Sequence, residues 1–122
     1  MGPRLSRSLE RQPVMFVLFD HSVPAPLRYA LEAHVVVEAV DRGWEALGNR
    51  ALLDTAEAAG FDIFLTADKN IRYQQNLAGR KIAIVVLGNA QWPVLRRHVD
   101  KVVAVLSAVA PGSCIEVEIP FR

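Results

Sequence analysis

Cysteine is almost absent from this chain: Cys114 is the single example in 122 residues. An intramolecular disulfide is therefore impossible, and the composition is typical of a protein from a reducing cytoplasm. One cysteine and three scattered histidines do not make the tetrahedral ligand set of a zinc site. Disulfide scaffolds and zinc chemistry are both disfavoured.

Long apolar runs and nucleotide-binding loops are also missing. No apolar run reaches the roughly 18 residues that a membrane-spanning helix needs, and no apolar segment precedes Pro13 as it would in a signal peptide. The chain contains no GxxxxGK[ST], GxGxxG or GxSxG motif. We therefore expect a soluble protein without a membrane partner, and neither a P-loop enzyme nor a serine hydrolase.

Excess charge of one sign is lacking too. The formal net charge is +1, with 52% hydrophobic and 22% charged residues, which indicates one folded domain rather than a disordered chain. The first twelve residues carry most of the basic excess and are polar, so residues 1–12 are predicted to be a flexible extension. Any nucleic-acid binding must come from a local basic patch.

Apolar segments alternate with helical patterns along the rest of the chain. Strands are predicted over 14–20, 34–40, 61–68, 82–87 and 115–119, and helices over 24–32, 49–59, 70–78 and 93–109. Such alternation predicts an α/β fold, a three-layer α/β/α sandwich with a mostly parallel sheet. The last strand alternates Ile115, Val117 and Ile119 with glutamates, which predicts an edge position.

Two of the predicted strands end in a carboxylate, Asp20 after the first strand and Asp68 after the third. If these strands are neighbours, both side chains converge where ligands bind in open α/β sheets. Two such acids repel unless a cation neutralises them, and hard oxygen ligands suit Mg²⁺ or Mn²⁺. Alternatively, each aspartate merely caps the turn that follows it.

A basic and amide-rich segment follows Asp68. Its cations could hold RNA phosphates, its amides could hydrogen-bond bases or sugars, and its tyrosine could stack on a base. The alternative is an ordinary solvated surface helix. The candidate RNA-binding residues are Lys69, Arg72, Tyr73, Gln74, Gln75, Asn76 and Arg80.

Three further residue groups favour structural interpretations. Trp44 could be a lid or a stacking platform, but a ring packed on the core is favoured. Arg96, Arg97 and His98 are interpreted as the solvated face of the last helix. His21 could handle a proton beside Asp20, but the sequence shows no partner for it.

The segment GFDIFLTADKN at 60–70, continued by YQQNLAGR at 73–80, closely resembles small bacterial PIN-like proteins. Leu18-Phe19-Asp20 followed by Pro24 is similar to their opening strand. Asn49 with Leu52, Leu53 and Ala56 is similar to their middle helix. The resemblance covers about residues 14–119 and implies a single PIN-like domain over 13–122.

This resemblance implies a metal-dependent ribonuclease, related to the toxins of toxin–antitoxin pairs. Asp20 and Asp68 would be catalytic, and they would hold Mg²⁺ or Mn²⁺ together with Asn49 and Asn70. Neighbouring groups often place acids where Asn49 and Asn70 stand. Asp54 could substitute as a ligand, but a solvated position on the helix is favoured. The implied partners are an RNA substrate, an antitoxin protein and a second copy in a homodimer.

Two alternatives come from other functional classes. The missing acids at Asn49 and Asn70 suggest a catalytically degenerate PIN-like module that binds RNA or protein without cutting. A phospho-acceptor domain of the response-regulator type would also place an aspartate after its third strand. That family needs an acidic pair on the first strand and a lysine after the fifth, whereas this chain has Asp20-His21 and ends its last strand in Ile119-Pro120.

Overall fold

Five parallel strands form the centre of the molecule. A computed structural model describes residues 14–71 and 79–120. Its strands are β1 (Phe16–Phe19), β2 (Val35–Glu38), β3 (Ile63–Thr66), β4 (Ala83–Leu87) and β5 (Cys114–Val117). They form one sheet in the order β2-β1-β3-β4-β5, every pair parallel. The predicted α/β class and parallel sheet are confirmed, and β1 and β3 are neighbours.

Within the described residues, short 3₁₀ helices and three α-helices connect the strands. A 3₁₀ helix over Ala25–Leu31 follows β1, and another over Ala39–Arg42 follows β2. The α-helices are α1 (Asn49–Ala58), α2 (Trp92–Leu95) and α3 (Val99–Ala108). The predicted extension 1–12 and most of the predicted helix 70–78 lie outside the described residues.

The helices predicted over 24–32, 49–59 and 93–109 are right in position, although the first is a 3₁₀ helix, and two further details are wrong. The single helix expected over 93–109 is divided, because a 3₁₀ turn over Arg96–His98 separates α2 from α3. Asn49 was expected to cap the middle helix, but Gly48 occupies that position with extended backbone angles. Asn49 is instead the first helical residue, which frees its side chain from capping its own helix.

Apolar side chains cover both faces of the sheet. Alternate strand residues such as Val17, Phe19 and Leu65 pack in one cluster with the 3₁₀ helix after β1 and with α2 and α3. Their neighbours Leu18 and Phe64 pack in a second cluster with α1. Since side chains alternate along a strand, helical segments lie against both faces. This explains the continuous apolar runs in the sequence.

The strand β5 lies at an edge of the sheet, as its alternating pattern predicted. Val117 is buried while Glu116 is exposed. Its carboxyl end comes close to β4 at Gly88, where an added Cβ would lie 2.8 Å from the carbonyl oxygen of Val117. Glycine therefore permits the two strand ends to approach this closely.

Trp44 packs on the core, the favoured of its two interpretations. Its ring makes an edge-on contact with Phe61, with centroids 6.2 Å apart. The guanidinium of Arg42 lies 5.4 Å from each ring centroid, a cation–π geometry. Among the described helices, none is long and apolar enough to cross a bilayer.

Candidate functional site at the carboxyl ends of β1 and β3

The topology makes the carboxyl ends of β1 and β3 a switch point. From β1 the chain moves outward to β2 on one side, whereas β3 continues to β4 on the other. In open α/β sheets a crevice forms where the strand order reverses in this way. Asp20 directly follows β1, and its N–H still donates to the carbonyl of Leu65 at 3.1 Å. Asp68 follows β3 by two residues.

Asp20 is buried, with only 4% of its surface exposed. Its Oδ1 accepts hydrogen bonds from the N–H of Ser22 at 2.9 Å and from the Ser22 hydroxyl at 2.5 Å. Its Oδ2 accepts the Thr66 hydroxyl at 2.5 Å. A buried carboxylate is costly unless donors surround it, and these bonds meet that requirement.

The two hydroxyls connect Asp20 to the turn that carries Asp68. Ser22 Oγ accepts the N–H of Ala67 at 2.9 Å, and Thr66 Oγ1 accepts the N–H of Asp68 at 3.1 Å. The hydroxyl oxygens themselves lie 3.5 Å apart. The Asp20 carboxylate and the Asp68 main chain are thus separated by a single hydroxyl group.

Asp68 is less buried than Asp20 and lies near Asn49 and Asn70, the two residues predicted to bind the metal with it. Its Oδ1 accepts the main-chain N–H of Asn70 at 3.0 Å. Its Oδ2 accepts the side-chain N–H of Asn49 at 2.9 Å. The structure therefore brings Asp68, Asn49 and the main chain of Asn70 together, with Asn49 acting on Asp68 as a hydrogen-bond donor.

Capping, the alternative role of the two aspartates, is observed at both. Asp20 accepts the N–H of Ser22 and Asp68 that of Asn70, each two residues further on. Asn89 after β4 makes the same bond to Gln91 at 2.9 Å. A carboxylate offers about four acceptor positions. Asp68 therefore keeps more spare acceptor capacity than Asp20, which already receives three donors.

The donor set suits at most one hard cation. Within 14–71 and 79–120, no group of three or more His, Cys, Asp or Glu side chains is placed to hold a metal. The cluster of three or four carboxylates that the PIN resemblance implies is therefore not assembled by these residues. Two carboxylates can still hold one Mg²⁺ that keeps most of its waters, the usual way in which proteins bind this ion.

Asp54, the acid considered as a substitute ligand, pairs elsewhere. Its Oδ1 lies 2.9 Å from the guanidinium of Arg80, which also contacts Glu57 at 3.1 Å. The Arg80 side chain is only 13% exposed. A guanidinium already paired with two carboxylates has less attraction for RNA phosphate, and RNA binding by Arg80 stays a prediction.

Lys69 is the other predicted RNA-binding residue in the described part of the chain. It is exposed beside Asp68 and lines a cavity of about 370 Å³ together with Lys101, Glu116 and Glu118. His21 is exposed and lines a separate cavity of about 290 Å³ that borders Asp20. The remaining candidates lie outside the described residues: Arg72, Tyr73, Gln74, Gln75 and Asn76.

Ser22 and Thr66 also belong to the site, although residue type and spacing predict no role there for either side chain. The available signal was the spacing Asp20-x-Ser22, because aspartate often accepts the N–H two residues later. The long-range bonds of both hydroxyls could not be inferred from that spacing.

Compared with known proteins, the chain matches no protein-family model, no curated protein and no solved structure.

Proposed function

We propose that this protein is a metal-dependent ribonuclease of PIN-like type, which hydrolyses RNA phosphodiesters at the carboxyl ends of β1 and β3. The supporting observation is the hydrogen-bonded network that joins Asp20, Thr66, Asp68 and Asn49 at the switch point of the sheet. Two acids held in fixed orientations at that position can serve one divalent cation.

Asp68 is the principal ligand in this proposal. It is partly exposed, and its two bonds to Asn49 and Asn70 hold the carboxylate in one orientation. Asp20 adds the second negative charge from its buried position. Bound Mg²⁺ or Mn²⁺ would polarise a phosphoryl oxygen and lower the pKa of a coordinated water.

The neighbouring cation and amides complete the proposed site. RNA phosphates are repelled by the two carboxylates, and in this proposal Lys69, the exposed residue that follows Asp68 in the sequence, supplies a positive charge that favours their approach. Asn49 brings no charge, but its bond to Asp68 Oδ2 restricts how that carboxylate can rotate. Because RNA binding in this proposal depends on contacts between positive charges and phosphates, it should weaken as the salt concentration increases.

Cleavage assays test this proposal. Purified protein is incubated with single-stranded RNA and Mn²⁺, with and without EDTA. We expect Asp68→Asn to lower the cleavage rate by about a hundredfold or more, because it removes the more accessible ligand. Asp20→Asn should have a comparable effect, whereas Asp100→Asn on the exposed side of α3 should leave the rate unchanged. Cleavage that survives both site substitutions would reject this site.

A second candidate is a module that binds RNA or a protein partner without cutting. The burial of Asp20, its three donors and the amide of Asn49 on Asp68 all favour it, because each reduces the capacity for a metal ion. Calorimetric titration with Mn²⁺ separates the candidates. Binding that disappears in Asp68→Asn supports the ribonuclease; RNA binding without metal uptake or cleavage supports the module.

The partners proposed with the ribonuclease come from the same resemblance. A toxin role predicts that a small DNA-binding antitoxin is encoded beside this chain. It also predicts a complex of the two proteins that suppresses cleavage in the assay above. Equilibrium sedimentation of the chain alone tests the proposed homodimer.

A further inference from the structure

We infer that Ser22 is a positioning residue that holds Asp20 and Asp68 in a fixed relative orientation. This inference deepens the proposed function and rests on it. Ser22 is not itself a ligand in the proposed site. It acts through its hydroxyl group, which lies between the end of β1 and the turn that follows β3.

The Ser22 hydroxyl makes two bonds with different purposes. It donates to Asp20 Oδ1 at 2.5 Å, which is local, and it accepts the N–H of Ala67 at 2.9 Å, which crosses from one strand end to the next. The N–H of Ser22 already completes the turn at Asp20. The hydroxyl is therefore not needed for that turn, and its bond to Ala67 serves the connection between the strands.

A parallel connection runs through Thr66. Its hydroxyl donates to the other oxygen of Asp20 and accepts the N–H of Asp68. The Asp20 carboxylate thus accepts hydrogen bonds from two hydroxyls. Each hydroxyl in turn accepts the N–H of one of two consecutive residues, Ala67 and Asp68. Loss of either hydroxyl leaves one of these N–H groups without its acceptor and loosens the turn.

The Asp68 side chain depends on the same turn. Its Oδ1 accepts the N–H of Asn70, so the carboxylate orientation follows the backbone over residues 66–70. A turn that loosens at Ala67 should therefore also disturb the N–H of Asp68, even though the acceptor of that group, Thr66, is untouched. Groups that orient metal ligands in this way typically change metal affinity by 10–100-fold when removed, by the rough scale of known sites.

The experiment compares Ser22→Ala with Ser22→Thr, which retains a hydroxyl. Amide hydrogen exchange is followed by NMR at Ala67 and Asp68 in the metal-free protein, and Mn²⁺ affinity is measured by calorimetry. We expect Ser22→Ala to accelerate exchange at both amides by about tenfold or more, and to raise the Mn²⁺ dissociation constant about tenfold. Ser22→Thr should restore most of both values.

Ser113→Ala is the matched control. Its hydroxyl donates to the carbonyl of Ala110 at 2.6 Å, in the turn before β5, and its loss should change neither readout. Faster exchange at Ala67 alone, with Asp68 exchange and Mn²⁺ affinity unchanged, would show a local acceptor and overturn the inference. If the unsubstituted chain binds no Mn²⁺, the proposed function fails, and the inference about Ser22 is then tested by amide exchange at Asp68. Faster exchange at Asp68 in Ser22→Ala supports positioning by Ser22, and unchanged exchange rejects it.

Discussion

Asp20 and Asp68 show how one residue type in matching sequence positions acquires two roles. Both follow a buried strand and both accept the N–H two residues later. Asp20 is buried among two hydroxyls, whereas Asp68 is partly exposed and receives an amide. The difference arises from neighbours that are distant in sequence, since Thr66 reaches Asp20 and Asn49 reaches Asp68.

Removing the Asp20 carboxylate should be the more costly change for stability. Asp20→Ala leaves the Ser22 N–H and two hydroxyls without their acceptor in a buried setting, so we expect a loss of about 2–4 kcal/mol in the free energy of unfolding. Asp68→Ala should cost about 1 kcal/mol, because water can replace the carboxylate there. Urea denaturation measures both, with Glu45→Ala in an exposed loop as the control. Equal costs at the two aspartates would contradict this view of the network.

At the scale of elements, the side chain of Arg28 covers part of the outer edge of β2. The N–H of Val35 donates to the carbonyl of Met15 and therefore points toward β1. The N–H and C=O of the next residue, Val36, then point away from the sheet. Arg28 donates to the carbonyl of Val36 at 3.2 Å and pairs with Glu38 at 2.8 Å. Exposed strand edges are sites of self-association, and a charged side chain commonly blocks them.

Arg28→Ala should therefore cause association that depends on protein concentration. Light scattering after gel filtration, from about 10 µM to about 1 mM, should show a higher mean mass than the unsubstituted chain at equal concentration. Glu38→Gln loses the same ion pair but leaves the guanidinium on the carbonyl, so it should behave as the unsubstituted chain does. Adding Val35→Lys at this exposed edge should reverse the association. Association that persists in the double variant would place the contact elsewhere.

At the scale of the whole molecule, ion pairs fasten α1 to the segment that leads into β4. Arg80 contacts Asp54 and Glu57, and the N–H of Lys81 donates to Glu57 Oε2 at 2.6 Å. This N–H bond, with the guanidinium of Arg80, lowers the pKa of Glu57 below its ordinary value of 4.5 against the opposing effect of burial. The folded chain therefore binds fewer protons here than the unfolded chain.

The lowered pKa of Glu57 makes the free energy of unfolding depend on pH in the acidic range. The stabilisation is fully present above the pKa of Glu57 in the unfolded chain, near 4.5. It is lost as the pH falls through the lower pKa of Glu57 in the folded chain. Glu57→Gln should flatten the dependence of melting temperature on pH below about 4.5, as measured by thermal denaturation between about pH 3 and pH 7. Glu118→Gln, exposed after β5, is the control. An unchanged slope in Glu57→Gln would show that this carboxylate does not govern acid stability.

Much of the fold could be predicted because strands buried on both faces leave a strong local signal. The runs at 14–20, 61–68 and 82–87 contain β1, β3 and β4, and glycine or proline marks several boundaries. The break between α2 and α3 was missed because Arg96–His98 has an ordinary helical composition. The bond from Asn49 to Asp68 could not be inferred from capping preference, because that local preference takes no account of an acceptor nineteen residues away.

Alone, the amino-acid sequence determined the α/β class, the alternation of strands and helices, the edge position of the last strand and the two aspartates at strand ends. Each depends on residue type and short spacing, which act through local backbone preference and burial. Only the tertiary structure decided the strand order β2-β1-β3-β4-β5, the hydroxyl groups that hydrogen-bond to the buried Asp20 and the pairing of Arg80 with α1. Those features depend on which distant segments become neighbours, and that is set by packing of the whole sheet.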